Sequence, residues 1–114
     1  MSPNQAPKGA VLVVGYFDPL QAEHARELRD VRERTGCRTL GVAILHGERT
    51  ILPVGARAAL AAALRMVDYV VIVHVEDVAP TIECLQPAAV VHLEAADQDR
   101  IRRLIAHVHG AQIR

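Results

Sequence analysis

The residues best suited to chemistry in this chain lie in one stretch, Gly15-Tyr16-Phe17-Asp18-Pro19-Leu20-Gln21-Ala22-Glu23-His24. It follows an apolar run and leads into an amphipathic one. Gln21 and His24 are three positions apart, so on a helix they stand one turn from each other on one face. There, two side-chain donors would join the unpaired backbone N–H groups of the first turn and its positive dipole end. The start of a helix after a first strand is a ready place for an anion such as phosphate. The turn is neither the GxGxxG of dinucleotide binders nor a Walker A loop, because it lacks their glycines and lysine. Lys8 is the one lysine among 13 basic residues, so further phosphate contacts fall to guanidinium groups or backbone amides, with Arg49 and Arg57 the candidate guanidiniums.

Metal chemistry is not expected. His74 and His92 fall inside strand-like segments, and His107 and His109 lie near the end of a helical one. Together with Cys37 and Cys84 they match no ligand spacing, and the two cysteines read as free thiols.

Four apolar runs must position these residues. Ala10 to Tyr16, Cys37 to Leu45, Val67 to Val75 and Ala88 to Leu93 are short and rich in Val and Ile, the pattern of strands covered on both faces. Helical periodicity separates them. Leu20, His24, Leu28, Val31 and Thr35 share one face, and the charged run Arg26 to Arg34 reads as the solvated one. Asp18 as N-cap with Pro19 at the first helical position predicts the start of this helix, and Gly36 its end. A second helix is expected at about Gly55 to Met66, with Ala56, Ala59, Leu60, Ala63, Leu64 and Val67 on its apolar stripe. A third is expected over Ala79 to Leu85 and a fourth over about Ala96 to His109, with a fifth strand starting at Ala111. Alternating strands and helices joined by right-handed crossovers predict an α/β, Rossmann-like doubly wound parallel sheet of four to five strands with helices on both faces.

At 114 residues, 51% apolar and 23% charged, the chain suits one folded domain. A flexible N-terminus over residues 1–8 and a single domain over 9–114 are expected. The formal net charge of zero offers no long-range attraction for nucleic acid or an acidic membrane. No apolar run reaches membrane-spanning length and residues 1–8 lack a signal-peptide core, so a cytoplasmic location is expected.

The stretch after the first strand resembles the GxFDxLHxGH signature of the cytidylyltransferase-like nucleotidyltransferases, a superfamily that includes glycerol-3-phosphate cytidylyltransferases and heptose 1-phosphate adenylyltransferase domains. Gly15, Phe17, Asp18, Leu20 and His24 match it. Downstream, Arg49 to Pro53, Arg57-Ala58, Ala62 to Arg65 and Val67 to Val71 look like the family's R-P-I-x-P, E-R-A, x-A-L and V-D-x-V-V segments in order, and Leu85-Gln86-Pro87 resembles its last turn. The resemblance covers about Val11 to Leu93. It implies transfer of AMP or CMP from ATP or CTP, with Mg2+, to a small phosphorylated sugar or polyol with release of pyrophosphate, and it implies a homodimer. His24 and Gln21 take the positions of the catalytic histidine pair; Gly15, Tyr16, Phe17, Asp18, Arg49 and Arg57 take nucleotide-binding positions.

The motif is also degenerate. Gln21 stands where the family has its first histidine and Glu23 where it has glycine, which puts a side chain and a negative charge where polyphosphate should approach. The phosphate-binding lysine after the second strand is absent, and no serine/threonine-rich helix start follows before Arg114. These departures predict reduced or lost transfer, and the alternative expectation is a non-catalytic binding or oligomeric scaffold protein.

Overall fold

The computed structural model describes residues 6–18, 20–47, 51–94 and 102–103. The four apolar runs form strands β1 (Val11–Gly15), β2 (Leu40–His46), β3 (Tyr69–His74) and β4 (Ala89–His92), separated by helices α1 (Ala22–Thr35), α2 (Val54–Ala62) and α3 (Val78–Leu85). A 3-10 turn at Val75–Asp77 leads into α3. The strands make one parallel sheet in the order β3-β2-β1-β4, which is the Rossmann-like α/β architecture.

Alternate strand residues serve two cores. Val11, Val13, Leu40, Val42 and Ile44 pack on one face with Leu28 and Val31 of α1 and Ala61 of α2. Leu12, Val14, Ala43, Leu45, Val71 and Val73 pack on the other with Leu85 of α3. The chain thus runs outward from β1 to β3 beneath α1 and α2, then returns across the opposite face through α3 to lay β4 beside β1. The strand order reverses between β1 and β4, and the carboxyl end of such a switch point forms the crevice of an open α/β sheet.

Gly41 is needed for packing within the second core, because a Cβ there would run into the Tyr69 ring. The Tyr69 hydroxyl is buried without a hydrogen-bond partner among the described residues.

Several local expectations are corrected. Helix α1 begins at Ala22 with Gln21 as its N-cap, not at Asp18-Pro19; it ends as expected, with Gly36 left-handed at φ 63 and its N–H bonded to Arg32 O at 3.0 Å. The alanine stripe of α2 faces outward: Arg57 and Ala61 are buried, whereas Ala56, Ala59, Leu60 and Ala63 are exposed. A buried arginine in the middle of the inner face hides the apolar period that would have marked it. Arg32 is not simply solvated, since its guanidinium donates to Asp68 Oδ2 at 2.6 Å, Met66 O at 2.9 Å and Arg38 O at 3.1 Å. Within residues 1–8, where a flexible N-terminus is expected, Ala6 is buried in the core that contains Tyr69, and Lys8 Nζ donates to Cys84 O at 2.7 Å. The expected fourth helix lies outside the described residues apart from Arg102 and Arg103, which are helical, and so does the expected fifth strand.

Candidate functional site

The site is built where β1 stops. Gly15 is the last residue of the strand, and Phe17 then takes a left-handed φ of 50, which costs a bulky side chain about 1–2 kcal/mol. The turn keeps this conformation because it delivers the Phe17 ring, fully buried, into the core beneath α1 and α2. There the ring meets His24, with centroids 4.9 Å apart and planes tilted by 50°.

His24 lies in the first turn of α1 and is 2% exposed. Its Nδ1 accepts the backbone N–H of Gln21 at 2.9 Å. A ring nitrogen that accepts a hydrogen bond carries a lone pair, so the neutral imidazole holds its proton on Nε2. The capping interaction therefore sets the tautomer, and Nε2 is a donor. Gln21 is half-buried and Glu23 is exposed on the same turn.

Asp18, 2% exposed, does not cap α1. Its Oδ2 accepts the Ile51 N–H at 2.5 Å and its Oδ1 the Leu52 N–H at 2.7 Å, which fastens the segment before α2 to the end of β1. Arg57, 1% exposed, completes the fastening from α2. It donates through Nε to Leu52 O at 3.1 Å and through Nη1 to Tyr16 O at 2.9 Å and Leu45 O at 2.6 Å. One guanidinium thus gathers the carboxyl ends of β1 and β2. Burial pushes the Arg57 pKa down and the nearby Asp18 carboxylate opposes that shift. Arg57, expected at a phosphate, donates to three backbone carbonyls.

The structure therefore brings Gly15, Tyr16, Phe17, Asp18, Gln21, His24 and Arg57 together at one sheet end. Arg49 lies outside the described residues. Sequence reading missed the roles of the Ile51 and Leu52 peptides, since backbone groups leave no mark on side-chain patterns. It also missed that β2 and β3 end in a histidine pair, His46 and His74, with ring centroids 5.0 Å apart at 88°. His92, at the end of β4, instead bonds Glu94 through Nδ1 at 2.8 Å. Among the described residues no group of three or more His, Cys, Asp and Glu could hold a metal ion, and no helix is long and apolar enough to cross a membrane.

No protein-family model matches the chain, and no curated protein matches it. A solved structure does: the lipopolysaccharide core biosynthesis protein from Thermoplasma volcanium GSS1, at 23% identity and a TM-score of 0.65, over 74% of this chain and 73% of that one. At this identity the likeness is one of fold, an α/β Rossmann-like sheet held in common over most of both chains.

Proposed function

We propose that this chain is a nucleotidyltransferase-like protein that binds ATP or CTP at the carboxyl end of β1, with transfer to a small sugar or polyol phosphate reduced or lost. The observation that supports binding is the Gln21 N–H bond to His24 Nδ1, which leaves Nε2–H as the donor form an α-phosphate oxygen needs. The Thermoplasma volcanium protein is a lipopolysaccharide core biosynthesis protein, which agrees with a sugar-phosphate acceptor. Three features argue for weak catalysis. Gln21 offers at most a neutral amide donor, and removing one transition-state donor costs on the order of a hundredfold or more in rate. Glu23 is exposed on the turn that polyphosphate would approach. His24 is 2% exposed, which leaves little of its ring open to a phosphate. Magnesium would arrive on the nucleotide phosphates rather than in a cage of protein carboxylates.

Calorimetry against ATP and CTP with Mg2+, paired with pyrophosphate release in the presence of heptose 1-phosphate or glycerol 3-phosphate, tests this reading. Measurable affinity with turnover near background is expected, and the double reversion Gln21→His, Glu23→Gly should tighten binding. If neither the protein nor its reverted form binds either nucleotide, the reading fails.

A non-catalytic oligomeric scaffold is the second reading. It is favoured by the outward face of α2, where Ala56, Ala59, Leu60 and Ala63 are exposed. Light scattering decides it: a stable dimer that Leu60→Glu splits supports a scaffold, and a monomer ends it.

A further inference from the structure

His46 closes β2 and His74 closes β3, and the two are register partners in the sheet. Partners on adjacent parallel strands project to the same side, so the imidazoles form one patch beyond Ile44 and Ile72. Their rings are nearly perpendicular, and each residue is half-buried. The Glu76 N–H donates to His74 Nδ1 at 3.2 Å. As at His24, a backbone donor holds the Nδ1 lone pair and leaves the proton of the neutral ring on Nε2.

This tautomer decides between two ligand chemistries. A metal needs a lone pair on the nitrogen it meets, and His74 has one only on the nitrogen already engaged. Among the described residues no third His, Cys, Asp or Glu completes a ligand group with the pair. Glu76 and Asp77 follow on the next turn and are exposed, and neither joins such a group. A fixed N–H donor beside a second imidazole, with no carboxylate among the described residues completing the group, suits an oxyanion.

We propose that His46 and His74 form a phosphate subsite, with His74 Nε2–H as its donor, and that it receives the phosphate of the acceptor substrate. The acceptor's role rests on the nucleotide-transfer reading above; the subsite itself does not. Strands about 4.8 Å apart place the ends of β1 and β3 roughly 10 Å from each other. A phosphorylated sugar is of the right size to reach from this pair toward His24.

The test follows the imidazole nitrogens of the full chain by proton–nitrogen NMR while inorganic phosphate is added. The free protein should show His74 with Nε2 protonated and Nδ1 unprotonated, and phosphate should shift the His46 and His74 signals saturably. His74→Phe keeps a ring in place but removes the donor, and should weaken phosphate binding about tenfold. His46 and His74 signals that phosphate leaves unmoved, or that move only with zinc, overturn the subsite. Nucleotide binding without these shifts defeats the subsite alone; the shifts without nucleotide binding defeat the transfer reading alone.

Discussion

Asp18 and Arg57 hold Leu52 from its two sides: the carboxylate Oδ1 accepts the Leu52 N–H at 2.7 Å, and the guanidinium Nε donates to the Leu52 carbonyl at 3.1 Å. Two buried opposite charges are joined here through backbone, and neither is spare. Removing one partner of a buried charge pair leaves the other uncompensated, which costs about 3–5 kcal/mol. Arg57→Met should lose stability of this order in urea unfolding, with the guanidinium donor lost from Tyr16 O, Leu45 O and Leu52 O. Asp18→Asn should cost less, because one oxygen still accepts. The double variant should be less destabilised than the two single effects added together; strict additivity would show that the two charges do not act as a unit.

Tyr69 and Gly41 give opposite expectations at one contact. The Tyr69 hydroxyl is buried and unpartnered among the described residues, and burial pushes its pKa up. Tyr69→Phe removes an unsatisfied polar group and should be neutral or stabilising by about 1 kcal/mol. Gly41→Ala drives a methyl into the same ring and should destabilise by about 1–3 kcal/mol. Thermal unfolding of both variants checks the pair, and a loss of stability in Tyr69→Phe would mean that the hydroxyl is satisfied.

Asp68 accepts the Leu40 N–H at 2.7 Å and pairs with Arg32 at 2.6 Å. Partial burial pushes the Asp68 carboxyl up, but the Leu40 N–H and Arg32 outweigh it and hold it below the usual value. A carboxyl lowered in the folded state contributes stability that is present above its unfolded pKa of about 3.9 and lost as pH falls through the lower folded value. Chemical denaturation between neutral and strongly acidic pH should therefore show wild-type stability falling below about pH 4 more steeply than that of Asp68→Asn. Parallel curves would refute the linkage. At neutral pH, Asp68→Ala should cost about 1–2 kcal/mol because the Leu40 N–H loses its acceptor.

His24 caps α1 and packs on Phe17, so its truncation is a poor probe of binding. His24→Ala removes the Nδ1 cap and opens space beside Phe17, and should destabilise by about 2–4 kcal/mol. Glu23→Gln is the cleaner test, since the side chain is exposed. Removing its charge should raise ATP affinity several-fold at low salt and by less as salt screens the field. An affinity indifferent to this change would place the nucleotide away from the first turn of α1.

What could be read from residues alone was whatever depends on local pattern. Continuous Val-rich runs alternating with helical periods determined the parallel α/β sheet, and Gly36 marked a helix end, because strand burial and left-handed caps follow from side-chain type and spacing. The stretch from Gly15 to His24 was legible as the turn from the first strand into the first helix for the same reason. Only the tertiary structure decided what its members do. Asp18 reads locally as a cap, yet the fold brings the Ile51 and Leu52 peptides to it from the segment before α2, and α1 starts later, at Ala22, with Gln21 as its cap. Arg57 reads as a candidate phosphate ligand, and the ends of two strands together with the segment before α2 place three carbonyls around it. His46 and His74 are 28 residues apart in the chain and become neighbours only through strand register. Local sequence sets which conformations a segment can take; which charge is neutralised, and by which backbone group, is a long-range property that exists only after the sheet has closed.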